Sequence, residues 1–445
     1  MWTMKNISYH MKSLGLLFIF FWIAFMGYAQ SERSQRSSLH LLYGTTGANL
    51  REFNQMLENK GISELRRGYT NVGLGYQHRF NDFVIGIEAY HNSGPRSIFR
   101  DYEIDHRTSR LYLNLGYSFT EEGRFHLIHY MSLGVGYLNF QMLPTEEPAT
   151  LSDFFNNPER GYILRQNDIH RGTQHFGGFL TEIGFQLGYD IDLPLMEESL
   201  EIIAKFGYSF SPFEDAWNRK GISFDNIQSG PFLRVGAGIS LPDHNYFFRD
   251  ASLGIHLLYG LHYTRPDQIN DFLDTFGYNR LMGRPSNWGM KILGANRSTL
   301  YGIDLYNLSM SNDANEIKTQ SLNSFRLYGN VGRKLYDLKN IEMGVLGGLG
   351  YGNLRYTLLN QNKPDFPLLF EEVDFDGYLK TWGVLVKPEI YIAYAMPMGK
   401  QNSLDLIYSV YGGYELPIGG YRLADLGMSK YMAGPYIQFG IGIRP

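Results

Sequence analysis

The sequence predicts an all-β fold, a transmembrane antiparallel up-and-down β-barrel built from two eight-stranded repeats. Three observations predict it: an export signal at the N-terminus, an internal repeat that keeps a constant register, and strands that alternate in polarity between connections of alternating length. Each observation is weak alone, but together they favour strands that face lipid on one side.

Residues 1–29 have the features of a secretory signal peptide. Lys5 and Lys12 supply positive charge, residues 14–26 are uninterruptedly apolar, and Ala29 is a small residue suited to cleavage before Gln30. The apolar run is shorter than a comfortable spanning helix requires. We therefore expect an exported protein with a cleaved signal peptide, and a short lead at 30–37.

Composition excludes several classes of protein. The chain has Cys 0, which excludes a disulfide scaffold, an iron–sulfur site and a cysteine-ligated zinc site. No run of about 18 apolar residues follows residue 30, so a helical membrane protein is excluded. The net charge of −4 argues against nucleic acid as a partner.

The chain matches itself at a constant offset. His40-Leu41-Leu42-Tyr43-Gly44 recurs at residues 256–260, and a shorter offset later aligns Gly230-Pro231-Phe232 with Gly434-Pro435-Tyr436. The change of offset predicts a deletion after Met142, in a loop, because loops tolerate deletions that strands do not. The predicted units are 38–241 and 252–445, joined by a periplasmic link at 242–251.

Each unit is predicted to contain eight strands with period-two alternation. In the closing strand of the first unit, apolar residues share one face while Arg234 and two glycines share the other. Long connections follow Gly44, Asn92, Met142 and Phe210, whereas short turns such as 80–82 separate them. Outer-membrane barrels have short periplasmic turns and long outer loops, so we expect both termini on the periplasmic side.

The predicted strands can close into a barrel in two ways. A single barrel of about 16 strands is favoured, because the eighth strand joins the ninth through a connection of ordinary turn character. Two tandem eight-stranded barrels are the alternative, and they need only a slightly longer link. Inward glycines such as Gly73 and Gly134 suit either a narrow filled barrel or a wider one with room inside.

One motif carries a family resemblance. Asn54, Leu57 and Gly61 precede Gly73-Leu74-Gly75 and Ile85-Gly86-Ile87-Glu88, and the second unit keeps Asn270, Leu273, Gly277, Leu281, Gly289, Gly302 and Asp304. In these residues the chain resembles uncharacterised outer-membrane β-barrel proteins of the Bacteroidota type, here with an internal duplication. The resemblance implies a fold and a membrane, and it implies no activity or functional residue.

Charged residues are predicted to face the lumen. Alternation places eight of them there: Glu88, Arg110, Glu182, Lys205, Arg234, Asp304, Arg326 and Glu389. Such charges either line a water-filled path and set an ion preference, or pair with one another and fill a narrow interior.

The first outer loop of each unit is predicted to contain a short helix. Its apolar stripe is Leu50, Phe53 and Leu57 in the first unit, and Ile269, Phe272 and Leu273 in the second. These helices either constrict the mouth or dock a partner, or they pack on their own barrel rim.

No residues form a convincing catalytic or metal site. His40 and His256 have no nucleophile motif beside them. His170 and His175 with Asp168 could ligate a metal in a long loop, and residues 371–376 are acidic enough for calcium, but isolated loop histidines and solvated acidic tracts are common. We expect no cofactor, no metal and no enzyme activity.

The sequence therefore predicts a porin-like channel for small solutes or ions in the bacterial outer membrane. The alternative is a sealed structural or surface-binding barrel that uses its long outer loops, and an envelope hydrolase is less favoured. The expected partners are outer-membrane lipids, a small solute or ions, and a surface partner bound through the loops.

Overall fold

The computed structural model describes residues 35–444 apart from 48–49, 60, 62–63, 65–67, 81, 95, 121–123, 166–178, 193–198, 212–217, 220–221, 224–228, 242–250, 339, 363–373 and 399–403. The predicted signal peptide and almost all of the predicted link lie outside these residues. Within them the chain is nearly all antiparallel β. No helix in this described part is both long and apolar enough to span a bilayer.

The first barrel is formed by residues 35–241. Eight long strands close it, and short strands and helices lie in the connections at one end. In chain order the elements are β1 (Gln35–Thr46), α1 (Arg51–Asn59), β2 (Tyr69–Phe80), β3 (Phe83–Ser93), β4 (Ser97–Phe99), β5 (Tyr102–Ser118), β6 (Phe125–Pro144), α2 (Leu151–Asn156), β7 (Tyr162–Arg165), β8 (Phe179–Asp192), β9 (Ser199–Phe210), β10 (Asn218–Arg219), β11 (Ile222–Ser223) and β12 (Gly230–Leu241).

The second barrel is formed by residues 251–444 and again has eight long strands. Its elements are β13 (Ala251–His262), α3 (Asp267–Thr275), β14 (Ser286–Asn296), β15 (Thr299–Asp313), β16 (Lys318–Leu338), β17 (Ile341–Asn360), β18 (Gly377–Met398), β19 (Leu404–Ile418), β20 (Arg422–Leu423), β21 (Leu426–Gly427), α4 (Ser429–Met432) and β22 (Gly434–Arg444).

Each barrel closes on itself. Strand β1 pairs with β12, with Leu41 opposite Ala237, and β13 pairs with β22, with Leu257 opposite Ile441. The single closure favoured from the sequence is therefore wrong, and the tandem alternative is confirmed. Pairing between the first and last strand of each unit satisfies every edge within about 200 residues, so no edge is left for the other barrel.

Glycines make the narrow closure possible. A Cβ at Gly73 would lie 2.4 Å from the ring of Tyr90, and one at Gly238 would lie 2.3 Å from the backbone oxygen of Leu39. Side chains converge toward the axis of a small barrel, so large inward residues need glycine beside them. The inward glycines thus belong to a filled interior.

Connections sort by length between the two ends of the barrels. Tight connections, such as those between β2 and β3 and between β14 and β15, lie at the end that holds the chain termini; we call this the turn end. Most long connections lie at the opposite end, the loop end. The connection after β15 departs from the predicted pattern. Strand β15 continues to Asp313 and β16 begins at Lys318, so only residues 314–317 connect them at the loop end.

Strand faces alternate as a barrel requires. In β3 the side chains of Glu88 and Tyr90 are buried, while those of Ile87 and Ala89, which alternate with them, are exposed. On β12, Arg234 is buried and Val235 is 52 % exposed. Large apolar side chains therefore cover the outside, and polar and charged ones fill the inside.

Candidate functional site

A buried charged cluster occupies the first barrel. The carboxylate of Glu182 accepts two hydrogen bonds of 2.7 Å from the guanidinium of Arg234, and Nη1 of Arg110 lies 3.9 Å from the same carboxylate. Arg110 also donates to the hydroxyl of Ser209 at 3.0 Å. One carboxylate on β8 thus holds two arginines from β5 and β12, and the paired geometry with Arg234 is the strong bidentate form.

A second ion pair lies beside this cluster. Lys205 on β9 donates to the carboxylate of Glu88 on β3, and the hydroxyl of Tyr90 donates to Glu88 at 2.6 Å. The ammonium of Lys205 lies 4.0 Å from the ring centre of Tyr130, and the guanidinium of Arg234 lies 4.0 Å from that of Tyr90. Aromatic rings therefore supply further contacts of the buried cations.

The second barrel contains an alternating ring of four charges. Lys291 contacts Glu389 and lies 3.3 Å from Asp304, while Lys387 contacts Asp304 and lies 3.2 Å from Glu389. The hydroxyl of Tyr436 donates to Glu389 at 2.6 Å. Each charge has two neighbours of opposite sign, which offsets the cost of removing the four groups from water.

Nearer the loop end, Glu415 is the centre of another cluster. Arg326 pairs with it, the hydroxyl of Tyr328 donates to it at 2.5 Å, and Nδ1 of His262 lies 3.2 Å away. The ring of His262 stacks on that of Tyr436 at 5.1 Å between centroids. This cluster connects four strands of the second barrel across its interior.

Burial shows that these layers are closed to solvent. Glu182, Arg234, Lys291, Asp304 and Arg326 have 0–1 % of their surface exposed. Side chains that line a water-filled pore keep solvent-accessible surface, and these do not. The described interior also includes two cavities of about 20 Å³, one in each barrel, each with room for about one water molecule.

The structure places all eight predicted lumenal residues in the barrel interiors. It brings Arg110, Glu182 and Arg234 together, pairs Glu88 with Lys205, and joins Asp304 to Glu389 through two lysines. Arg326 lies apart from that ring, in the cluster around Glu415.

Sequence reasoning missed several interior charges, among them Lys291, Lys387 and Glu415. Period-two alternation could have found Lys387, which stands two residues before Glu389 on the same strand face. Lys291 lies among small and apolar inward residues, and Glu415 lies near the end of its strand. Their neighbours therefore gave little indication of a polar interior.

The loop helices lie near the positions predicted. Leu50 and Leu57 are buried in the apolar core of the first barrel, and Ile269 and Leu273 in that of the second, with Phe272 packed against it. The side chain of Phe53 lies outside the described residues. The buried stripes pack into each helix's own barrel mouth, so these stripes offer no free surface to a partner.

The third loop of the first barrel reaches the second barrel. Helix α2 follows a capping box formed by Thr150 and Asp153. Phe155 stacks on Phe276 at 5.3 Å between centroids, and Phe154 meets the edge of Tyr356 at 6.0 Å. We call residues 150–165 the lid, because their helix covers the apolar mouth of the second barrel.

Polar contacts fix the lid. The backbone N–H of Leu151 donates to Asp425 at 2.7 Å, and that of Ile163 donates to Asp376 at 2.8 Å. Nearby, Tyr102 on β5 donates to Asp374 at 2.7 Å. Burial and this hydrogen bond raise the pKa of Tyr102 to about 12, so its hydroxyl stays protonated and donating at neutral pH.

The remaining candidates for chemistry have structural contacts. Nε2 of His40 lies 2.8 Å from the carboxylate of Glu201, and His256 lies 3.2 Å from the hydroxyl of Ser409. Asp168, His170, His175 and Glu371 to Val373 lie outside the described residues. Across the described ranges, no three His, Asp or Glu side chains are grouped to hold a metal ion.

Comparisons with known proteins give likeness of fold only. No protein-family model matches the sequence, and no curated protein sequence matches it. The structure is similar to the attachment invasion locus protein Ail of Yersinia pestis, solved with the heparin analogue sucrose octasulfate, at 9% identity over 44% of this chain and 98% of that one, with a TM-score of 0.26.

Two other similar structures span different shares of the chain. Neisserial surface protein A has 8% identity over 47% of this chain and 99% of its own, with a TM-score of 0.27. The Pseudomonas putida toluene transporter TodX has 10% identity over 93% of this chain and 89% of its own, with a TM-score of 0.20. At these values the likeness carries no argument about function.

Replacing the central carboxylate should destabilise the first barrel. Glu182→Gln removes the carboxylate that pairs with Arg234 and lies beside Arg110, both of them buried, so we expect the free energy of unfolding to fall by about 3–5 kcal/mol. Urea titration of the folded protein in lipid vesicles measures it. The matched control is Glu103→Gln, which breaks a solvent-exposed pair with Arg96 and should cost less than about 1 kcal/mol. Equal losses would contradict the assignment of a buried cluster.

Removing the aromatic contacts of the lid should release it without unfolding either barrel. In the double variant Phe154→Ala, Phe155→Ala we expect faster amide hydrogen exchange in residues 150–165 and in α3, because both lose buried apolar contact. Exchange in the central strands should stay unchanged. The exposed Glu146→Ala, in the same loop, serves as the control. Exchange that is unchanged at α3 would show that the lid does not dock there.

Proposed function

We propose that the chain is a bacterial outer-membrane protein whose two sealed barrels anchor one shared surface at the loop end. In this proposal the loop end faces the cell surface and the turn end faces the periplasm, because outer-membrane barrels have short periplasmic turns and longer extracellular loops. The matching charges of the two barrels, Glu88 with Asp304 and Arg110 with Arg326, support an origin by internal duplication.

The exterior supports a lipid environment. Leu257 is 69 % exposed and Trp382 is 67 % exposed, and comparable apolar side chains cover the outward face of the long strands of both barrels. Soluble monomers rarely expose a contiguous apolar patch beyond a few hundred Å². Tyrosine and tryptophan stand toward the ends of this band, as in the aromatic girdles of membrane barrels.

The closed interior is the observation that carries the rest of the proposal. A channel for small solutes or ions needs water in contact with the charges it uses, yet Glu182 and Lys291 have 0 % of their surface exposed. An eight-stranded barrel is just wide enough to be filled by its own side chains. The geometry therefore favours the sealed alternative over the porin-like channel.

A sealed barrel acts through its loops. The lid ties the loop end of the first barrel to that of the second, so residues from both lie on one continuous face. That face exposes apolar side chains outside the membrane band, including Ile98 and Met282. We infer a structural or partner-binding role at the cell surface, with no catalytic step.

Bilayer recording tests the seal. Purified protein inserted in a planar bilayer should give no conductance steps, because the ion-paired layers block both interiors. The variant Glu182→Gln should also stay closed, since the arginines and tyrosines keep their volume. Regular conductance steps from the unmodified protein would overturn the sealed assignment and restore the channel.

An arginine on the outer band tests the lipid environment. Leu41→Arg places a charge near the middle of the apolar band and should destabilise the folded protein in vesicles by about 2–4 kcal/mol, whereas Thr45→Arg, four residues nearer the loop end on the same face of β1, should cost about 0–1 kcal/mol. Unfolding titrations of both variants measure this difference. If water covered this face, both substitutions would be near neutral.

A further inference from the structure

One outward column of the second barrel changes chemistry along its length. On β13 and β14, Leu257 stands opposite Met290 and Tyr259 stands opposite Trp288. Tyr259 and Trp288 are both more than half exposed. The column therefore runs from aliphatic to aromatic side chains toward the loop end, which is the order found across one half of a bilayer.

Arginines continue this column beyond the aromatic residues. The guanidinium of Arg284 lies over the ring of Tyr263 at 4.3 Å from its centre, and Arg265 follows two residues later on the same outward parity. Both arginines are exposed. Neither has a carboxylate partner among the residues that the structure describes, in contrast to Arg280, which pairs with Asp274 at 3.0 Å.

Their height matches a lipid headgroup. From Leu253, two residues after β13 begins at the turn end, to Tyr263 the chain rises ~25 Å along the barrel axis, at ~3.3 Å per residue and a strand tilt of ~40°. That rise equals the height of the apolar band of a membrane barrel, about 25 Å. Arg265 and Arg284 therefore stand where the phosphates of one leaflet lie.

We propose that Tyr263, Arg265 and Arg284 bind the phosphate of a phosphorylated lipid headgroup in the outer leaflet, with the acyl chains against Leu257, Tyr259 and Trp288. This inference rests on the proposed membrane function. A guanidinium offers paired N–H donors to phosphate oxygens, and stacking on Tyr263 holds Arg284 in place before the lipid binds.

The described residues of the first barrel show no such patch, and Arg66 and Arg67, which precede β2, lie outside them. In the first barrel the corresponding column passes from Leu41 opposite Leu74 to Tyr43 opposite Val72 and ends with Thr45 opposite Thr70. Both columns have an aliphatic and aromatic band, and among the described residues the one on the second barrel continues into arginine.

The test uses the whole mature protein in nanodiscs of phosphatidylcholine that contain either lipid A or dephosphorylated lipid A. Native mass spectrometry of the released protein counts the retained lipid. We expect lipid A to be retained at least tenfold more than its dephosphorylated form, and Arg265→Gln, Arg284→Gln to abolish that preference. The control Arg422→Gln, also exposed near the loop end, should keep it.

The outcomes separate the two proposals. If the protein enters nanodiscs but retains both lipids equally, or if the double variant keeps the preference, the phosphate site is overturned while the membrane function stands. Inorganic phosphate at millimolar concentration should not displace lipid A, since the acyl contacts hold it; displacement would show a site for free phosphate and overturn the lipid assignment. Failure to enter nanodiscs at all would overturn both.

Discussion

Closure of an antiparallel sheet within eight strands is the constraint on which the rest of this structure depends. Closure pairs the backbone groups of every edge, which lets a strand stand in hydrocarbon, and it sends alternate side chains to opposite environments. The radius of an eight-stranded barrel then leaves an interior only as wide as the side chains that fill it. A filled interior and an apolar exterior are therefore consequences of one geometric choice.

Filling that interior with charge requires internal pairing. A buried ion costs several kcal/mol unless an opposite charge and hydrogen bonds compensate it. In the first barrel this cost is compensated by the bidentate pair of Glu182 with Arg234 and by aromatic rings placed against the cations. The second uses four alternating charges around Lys291 and Lys387. Corresponding strands thus support different networks, because only the balance of charge and volume is constrained.

Much of this could be predicted from the sequence, because period two assigns a face to every strand residue. Glu88, Arg110 and Arg234 follow from alternation alone. Closure could not be predicted in this way, since hairpin neighbours are the same in one barrel or two. The difference lies in whether β1 meets β12 or β22, and that choice depends on barrel radius and the packing of inward glycines such as Gly238.

The lid could not be predicted from the sequence either, because α2 contacts residues more than a hundred positions away in the other barrel. Its helix is too short to be stable alone, so its form depends on the mouth that receives Phe154 and Phe155. That mouth is already closed below by the cluster around Glu415. A second closure above a sealed interior adds nothing to a barrier against solutes. Its effect is to hold the loop ends of the two barrels in one arrangement, which is what the proposed shared surface requires.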